Sequence, residues 1–307
     1  MALRIAYSLI KETLHSWNEN YTSSMGAALA YYTLFSIAPL LLIVISVAGA
    51  IFGQQAAQGE IVGQLRGLMG DDGARAVEAL LASAGKPGVN VLATLFSAAL
   101  LLLGATTVFA ELQDALDRIW RAPARDESSG LWRLIQARLL SFGMILGIAF
   151  LLMVSLVFSA AIAALGKWWG PYFAAWETML MLINDLVSFA MFTVSFALIY
   201  KIMPRARIAW RDVWIGATVT AMLFDIGKLL IGLYIGKSAI ASGFGAAASL
   251  VVLLVWVYYS AQIFLLGATF TWVYAHRLGS RREKDTLRNV CRRRIYPTVP
   301  PHRSECG

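Results

Sequence analysis

The sequence has little charge, and this shortage excludes the commonest class of protein. Charged residues make up 14% of the 307 residues, whereas hydrophobic residues make up 59% and the mean hydropathy is +0.66. An ordinary soluble domain carries about 25% charged residues, and a soluble core cannot hide this much apolar surface. The composition therefore excludes an ordinary soluble domain and predicts an integral membrane protein.

Cysteine and histidine are also scarce, and their positions argue against a metal site. The two cysteines, Cys291 and Cys306, stand near His302 without a CxxC pair, so we interpret them as free reduced thiols rather than zinc ligands. The other histidines, His15 and His276, lie before the first and after the last hydrophobic run, and no acidic cluster suits two metal ions. We therefore predict no metal and no cofactor.

Six hydrophobic runs are long enough to cross a bilayer, whose hydrocarbon core needs about 20 residues of apolar helix. They cover residues 27–52, 91–110, 139–166, 179–203, 213–235 and 248–275. We predict an all-α polytopic membrane protein in which residues 1–276 form a single domain of six transmembrane helices. The first run is too long for the core of a signal peptide, so we expect it to stay in the mature protein.

The distribution of positive charge predicts the orientation. Of the 26 Lys and Arg residues, 20 lie in the terminal segments and in the connectors 111–138 and 201–212, five lie in the connectors on the opposite side, and Lys228 lies within a span. Because cytoplasmic segments are enriched in Lys and Arg, both termini are predicted to be cytoplasmic. The basic tail, residues 277–307, is predicted to be disordered and to bind anionic lipid headgroups.

Residues 1–20 predict an amphipathic helix that precedes the first span. Its apolar residues recur at helical spacing on one face: Leu3, Tyr7, Ile10, Leu14 and Trp17. Such a helix either lies in the headgroup region or packs its apolar face on the protein's own cytoplasmic loops, and the pattern allows both.

The segment between the first two runs, residues 53–90, is predicted to be short, helical and periplasmic. Residues 54–69 and 74–84 predict two helices that are broken at the glycine-flanked turn 70–73. The segment either caps a cavity or lies over the helix bundle.

Two charged residues occur within the fifth run, at a depth where an isolated charge costs about 3 kcal/mol. Asp225 and Lys228 are three residues apart, so they share a helix face. They either form an ion pair that locks helix packing or face a polar cavity that takes a coupling ion or a lipid headgroup. Further candidates for lining such a cavity are Tyr31, Tyr32, Pro39, Asp185 and Gln262.

Charged residues also follow the second run on its cytoplasmic side. Glu111, Asp114 and Asp117 share a helix face, and three arginines follow, which are Arg118, Arg121 and Arg125. The pattern is typical of a solvated helix with balanced charges. The alternative is an inner gate or a surface that docks a partner, with Glu111, Asp114 and Arg118 as its candidates.

Five stretches, in this order and spacing, carry a family resemblance. They are AALAYYTLFSIAPLLL (27–42), LQDALDRIW (112–120), RLLSFGMILGIAFLLMVSL (138–156), WRDVWIGA (210–217) and VVLLVWVYYSAQIFLLGATFTWVYA (251–275). Together they resemble the YihY/BrkB family of bacterial inner-membrane proteins. The resemblance implies six spans, cytoplasmic termini and an inner-membrane location. The chain departs from the family's GAEF motif, because it has Thr269 where the family commonly has glutamate.

Members of that family are associated with envelope integrity, virulence and lipid or solute export, and they were formerly mislabelled ribonuclease BN. The resemblance implies a non-enzymatic, transporter-like protein that handles lipid or another envelope component. The alternative is a membrane scaffold for envelope assembly that transports nothing, and a weaker one is a tRNA-processing ribonuclease, which the residues do not support. The partners that we expect for this chain are membrane lipids, envelope proteins or a second copy of the chain. We expect no specific nucleic acid partner.

Overall fold

The structure is a computed structural model that describes residues 2–84, 107–122, 176–237 and 248–282. Throughout these ranges the regular elements are helices, which confirms the all-α prediction for this part of the chain. The helices are α1 (Ala2–Glu19), α2 (Thr22–Phe52), α3 (Gln54–Ala84), α4 (107–119), α5 (Trp176–Ile202), α6 (Trp210–Lys237) and α7 (Ala248–Arg277).

Three of the described helices are long and apolar enough to cross a membrane. Their spanning segments are Leu182–Ile202 in α5, Trp210–Tyr234 in α6 and Leu250–Arg277 in α7. They correspond to the fourth, fifth and sixth predicted spans. The first predicted span, 27–52, lies within α2, and the spans 91–110 and 139–166 lie almost wholly outside the described residues. The number of six spans therefore stays a prediction.

Helices α6 and α7 approach closely through two reciprocal glycine and threonine contacts. A Cβ at Gly216 would collide with the hydroxyl of Thr271, and a Cβ at Gly267 would collide with the hydroxyl of Thr220. Each threonine donates to a carbonyl one turn back in its own helix, at 2.7 Å for Thr271 and 2.8 Å for Thr220. The hydroxyls are thus satisfied without a partner across the interface, and small residues let the two backbones come together.

Tyr200 joins α5 to this helix pair. Its side chain is fully buried, and its hydroxyl donates to the carbonyl of Phe264 in α7 at 2.7 Å. The same oxygen lies 3.1 Å from the hydroxyl oxygen of Thr220 in α6. A buried polar group requires such partners, so one hydroxyl links all three described membrane-spanning helices.

Helix α3 bends at a glycine and packs along α2 and α7. Gly70 has φ 77° and ψ 177°, a backbone conformation that glycine adopts without a steric penalty. The break therefore lies within the turn 70–73 that the sequence predicts. Beyond it Val77 and Leu81 are buried in a cluster with Ile45 of α2 and Leu253 of α7. This part of the segment 53–90 contributes to the core.

Helix α1 exposes the first part of its apolar stripe, whereas Leu14 and Trp17 further along face α6 and α7. Tyr7 and Ile10 are 70% and 57% exposed, whereas Thr13, on another face, is buried. An ion pair of 2.7 Å between Glu12 and Arg277 fixes α1 to the end of α7. The placement of α1 in the headgroup region therefore stays a prediction.

Replacing Gly267 by alanine should lower the melting temperature of the protein. The new Cβ would meet the hydroxyls of Thr220 and Tyr200, and overpacking of this kind costs about 1–3 kcal/mol. The matched control is Gly232→Ala in α6, where a Cβ would face open space and where alanine favours the helix by about 0.5–1 kcal/mol. Thermal unfolding of the purified protein in detergent measures both variants, and equal shifts would contradict the close packing of α6 on α7.

Candidate functional site

Asp225 and Lys228 form an ion pair within the spanning segment of α6. Lys228 Nζ lies 2.7 Å from Asp225 Oδ1, and the side chains are 30% and 32% exposed respectively. Lys228 Nζ also lies 5.8 Å from the ring centroid of Phe192, within reach of a cation–π interaction, which places the pair beside α5. The pair that the spacing predicts is therefore formed, and it is neither sealed in the core nor fully exposed.

A groove of about 390 Å³ lies between α1, α6 and α7. Its volume falls in the range of about 300–1,000 Å³ that is typical of small-molecule sites. The lining side chains are almost all apolar, and they are Leu14, Trp17, Leu223, Ile226, Gly227, Leu230, Tyr259, Gln262, Ile263 and Leu266. One predicted site residue, Gln262, is among them.

Two polar side chains in the groove have an unsatisfied atom. Gln262 Nε2 donates to the carbonyl of Ser23 at 3.1 Å. Its Oε1 is buried and has no hydrogen-bond partner among the described residues, and the same holds for Nε1 of Trp17. Both atoms are closed off from solvent, so the accessible lining of the groove is almost wholly apolar.

The ion pair and the groove occupy different faces of α6. Asp225 is two residues from Leu223, and Lys228 is two residues from Leu230, both of which line the groove. Two residues correspond to about 200° of rotation in a helix with 3.6 residues per turn. Neither charged residue lines the groove, so the structure separates Gln262 from Asp225 and Lys228.

The remaining cavity candidates contact neither the ion pair nor the groove in the described part of the structure. Tyr31 and Tyr32 contact each other edge to face with ring centroids 5.5 Å apart, and Tyr31 also meets Phe35 at 5.0 Å. Tyr31 is 57% exposed, and Asp185 in α5 is exposed as well. Pro39 lies within α2, and its side chain is outside the described part of the structure.

At the predicted cytoplasmic end, α4 is held against the connector between α5 and α6. Asp117 Oδ1 accepts the backbone N–H of Arg205 at 2.8 Å, and Oδ2 lies 3.4 Å from the guanidinium Nε of Arg205. Gln113 donates to the carbonyl of Met203 at 3.2 Å. Within the described ranges these contacts are made by Asp117 and Gln113 and not by the three predicted gate candidates, Glu111, Asp114 and Arg118.

The environment of Asp117 changes its acidity. Burial raises the pKa of Asp117 above its usual value of 3.8, while the backbone N–H and the charge of Arg205 act in the opposite direction and Asp114 adds to the rise. The net direction is upward, because the desolvation of the carboxylate outweighs its interactions with Arg205.

A second carboxylate, which sequence reasoning missed, ties the start of α6 to the residues after α7. Asp212 is 1% exposed and accepts the hydroxyl of Ser280 at 2.6 Å and its backbone N–H at 3.2 Å. The position of Asp212 in the first turn of α6 is the only local feature of the sequence that points to this residue. The partner lies 68 residues away, so the contact itself is not visible in the pattern.

Two arginines stack on tryptophans across α4 and α7. The guanidinium of Arg281 lies 5.3 Å from the ring centroid of Trp120, and that of Arg121 lies 5.0 Å from the ring of Trp272. The contacts are reciprocal, since each partner segment supplies one arginine and one tryptophan. They hold the residues after α4 against the end of α7.

Thr269, which stands where the resemblance implies glutamate, is satisfied within its own helix. The residue is fully buried, and its hydroxyl donates to the carbonyl of Leu265 in its own helix at 2.9 Å. A threonine can satisfy its hydroxyl in this way, whereas a carboxylate at the same position would need a partner.

Among the described residues, no group of three or more His, Cys, Asp or Glu could hold a metal ion.

Comparison with known proteins gives one family. The family model described as "Virulence factor BrkB" matches residues 13–289. Similar curated proteins include a "UPF0761 membrane protein" of Verminephrobacter eiseniae, 27% identical over 87% of this chain and 62% of the relative. The protein of the same name from Pseudomonas aeruginosa LESB58 is 30% identical over 89% of this chain and 64% of the relative. The one from Cronobacter sakazakii is 28% identical over 83% of this chain and 84% of the relative.

The chain spans less than two thirds of the length of the first two of these relatives, and most of the length of the third. No solved structure matches the chain. The comparisons therefore identify a family of membrane proteins.

Asp117→Asn should remove one component of the pH dependence of stability. Because the pKa of Asp117 in the folded state is raised above 3.8, the stability that this group contributes is fully present below pH 3.8 and is lost as the pH rises through the folded pKa. Asparagine keeps an oxygen that can accept the N–H of Arg205 but does not titrate. The melting temperature of the wild type relative to the variant should therefore fall as the pH rises through this range.

The control for this prediction is Glu78→Gln, which changes an exposed carboxylate on a different helix, α3. A difference between wild type and Asp117→Asn that does not change with pH would contradict the raised pKa.

Proposed function

The chain belongs to the virulence factor BrkB family of membrane proteins, and from this premise we propose that it is a transporter-like protein of the bacterial inner membrane. In this proposal it handles lipid or another envelope component and thereby supports envelope integrity. Both termini lie in the cytoplasm, and the protein carries out no chemical conversion of its cargo. The basic tail, residues 277–307, binds anionic headgroups.

The observation that carries the proposal is the ion pair of Asp225 and Lys228. Both residues lie near the middle of a helix that is apolar enough to span a membrane, and each side chain is about one third exposed. Charges that face only acyl chains are costly, by about 3 kcal/mol each. A pair that is partly exposed at this depth supports contact with water or with the polar part of a cargo.

The alternative is a scaffold that supports envelope assembly through protein contacts. Its support is the short distance of 2.7 Å within the pair, because Asp225 and Lys228 neutralise each other without a ligand. Exposed apolar residues of α5, such as Leu182 and Leu186 at 72% and 67%, offer a surface on which another membrane helix could pack. The two proposals differ in whether the charges themselves are needed.

Asp225→Leu should impair function more than Asp225→Asn, and Thr269→Ala should have the smallest effect. Leucine leaves the ammonium group of Lys228 without its opposite charge at membrane depth, whereas asparagine keeps a polar partner. Thr269 bonds only within its own helix in the described contacts. Complementation of an envelope-defect phenotype, with the amount of protein in the membrane measured alongside, tests this order.

The double variant Asp225→Leu with Lys228→Leu separates the two proposals. It removes both charges, so it relieves the unpaired ammonium group of the single variant and leaves a neutral span. If the pair contacts a cargo, the double variant inserts normally and stays defective. Recovery of full complementation by the double variant would contradict the transporter proposal and favour the scaffold.

A further inference from the structure

The connector between α5 and α6, residues 203–209, lies at one boundary of the membrane-spanning region. The spanning segment of α5 ends at Ile202, and that of α6 begins at Trp210. Because the two helices are joined by so short a segment, both reach the same surface of the bilayer here. Side chains at this level meet lipid headgroups rather than the middle of the acyl chains.

Four hydrogen bonds from neighbouring elements fix the backbone of this connector. Three of its carbonyls and one of its N–H groups bond to side chains of α4, of α5 and of the segment after α7. Gln113 donates to the carbonyl of Met203 at 3.2 Å, Arg281 donates to that of Arg207 at 2.9 Å, Lys201 donates to that of Ile208, and the N–H of Arg205 donates to Asp117 at 2.8 Å. A backbone held in this way presents its side chains in a fixed arrangement, which lowers the cost of ordering the surface when a ligand binds.

The connector and the start of α6 carry positive charge that the described residues do not neutralise. Arg207 and Arg211 are exposed, and neither guanidinium forms an ion pair within the part of the chain that the structure describes. The neighbouring carboxylates are already engaged, since Asp117 pairs with Arg205, and Asp212 is 1% exposed and bonded to the segment after α7. The planar fork of an arginine matches the oxygens of a phosphate group, so this surface fits a phosphate-bearing ligand.

Two half-exposed tryptophans stand beside these arginines in the first turns of α6. Trp210 and Trp214 are 48% and 43% exposed, and the ammonium group of Lys201 lies 5.4 Å from the ring centroid of Trp210. Arg211 is about 100° from Trp210 and about 60° from Trp214 around the helix axis, so the three side chains share one side of α6. Tryptophan is enriched where acyl chains meet headgroups, which favours a lipid over a free anion as the ligand.

From these observations we propose that the α5–α6 corner, defined as Lys201, Arg207, Trp210, Arg211 and Trp214, binds the headgroup of an anionic phospholipid. The two guanidinium groups donate to the phosphate oxygens, and the two indole rings lie against the glycerol and the first carbons of the acyl chains. None of these residues belongs to the basic tail, residues 277–307. The site is also independent of the proposed function, because a transporter and a scaffold would both hold such a lipid.

Native mass spectrometry of the full-length protein tests the site with two double variants. The purified protein is titrated with phosphatidylglycerol in detergent, and the dissociation constant of the first bound lipid is measured. Arg207→Gln with Arg211→Gln removes the two guanidinium groups of the corner. Arg292→Gln with Arg293→Gln removes the same number of charges from the basic tail and is the matched control.

The corner variant should raise the dissociation constant about tenfold, which corresponds to about 1.4 kcal/mol, whereas the tail variant should change it less than about twofold. The wild type should bind zwitterionic phosphatidylcholine more weakly than phosphatidylglycerol, and inorganic phosphate should not displace the lipid. An equal rise in both double variants, a rise confined to the tail variant, equal affinity for the two lipids, or displacement by inorganic phosphate would each overturn the proposal.

Arg207→Lys with Arg211→Lys separates binding from misfolding. Lysine keeps both charges but lacks the planar fork, so this variant should bind phosphatidylglycerol with an affinity between those of the wild type and the glutamine variant. Both variants should keep the wild-type melting temperature in detergent without added lipid, because the two arginines are exposed. A lysine variant that binds no better than the glutamine variant would overturn the proposal.

Trp214→Ala tests the aromatic part of the site. Loss of the ring should raise the dissociation constant for phosphatidylglycerol about threefold. The matched control is Met222→Ala, which shortens another half-exposed side chain of α6, 54% exposed, about two turns deeper in the spanning segment. This control should leave the dissociation constant unchanged, and an equal rise in both variants would overturn the assignment of the rings to the headgroup site.

Discussion

An ion pair within a membrane-spanning helix is the constraint on which the rest of this structure depends. Asp225 and Lys228 must be matched in charge, because either one alone at this depth is energetically costly. Their separation of three residues places them on one helix face, and the observed distance of 2.7 Å shows that the pairing is made within α6 itself. The neighbouring helices are therefore free to pack on α6 through apolar and small residues, while the ring of Phe192 adds a cation–π contact to the ammonium group.

Helix α6 turns two opposite sides to different neighbours. One side carries the ion pair beside α5. The other side packs on α7 through Gly216 and Thr220 and, further along the helix, forms a wall of the groove with Ile226 and Leu230. The charged pair and the apolar groove therefore lie on opposite sides of one helix.

Much of the fold follows from local features of the sequence. Low charge and long apolar runs predict spans where α5, α6 and α7 are found, and glycine at position 70 predicts the break in α3. The spacing of Asp225 and Lys228 predicts a shared helix face, with an ion pair as one of two alternatives. Each of these depends on neighbours within about one or two helical turns, which periodicity and backbone preference describe well. Apolar spacing in α1 predicts its helix but leaves open which side the stripe would face, since this depends on the packing of α1 against α7.

Contacts between distant segments could not be predicted in the same way. The carboxylate of Asp117 bonds to Arg205, 88 residues away, and Tyr200 donates to the carbonyl of Phe264, 64 residues away. Backbone groups are partners in both cases, and every residue except proline offers the same N–H and C=O, so the sequence carries no signal for the choice. The groove is missed for a related reason, because its walls come from three helices whose relative rotation is decided only by packing.

The reactivity of two introduced cysteines at the same membrane depth tests the central claim most directly. After Cys291 and Cys306 are replaced by serine, Asp225→Cys places a thiol on the face of the ion pair and Ile226→Cys places one on the wall of the groove. A charged, membrane-impermeant thiol reagent should modify the first and leave the second unmodified, because the account gives the ion pair access to water whereas Ile226 lines an apolar groove. Equal protection of both thiols would contradict the account, since the charges of α6 would then have no access to a polar cargo.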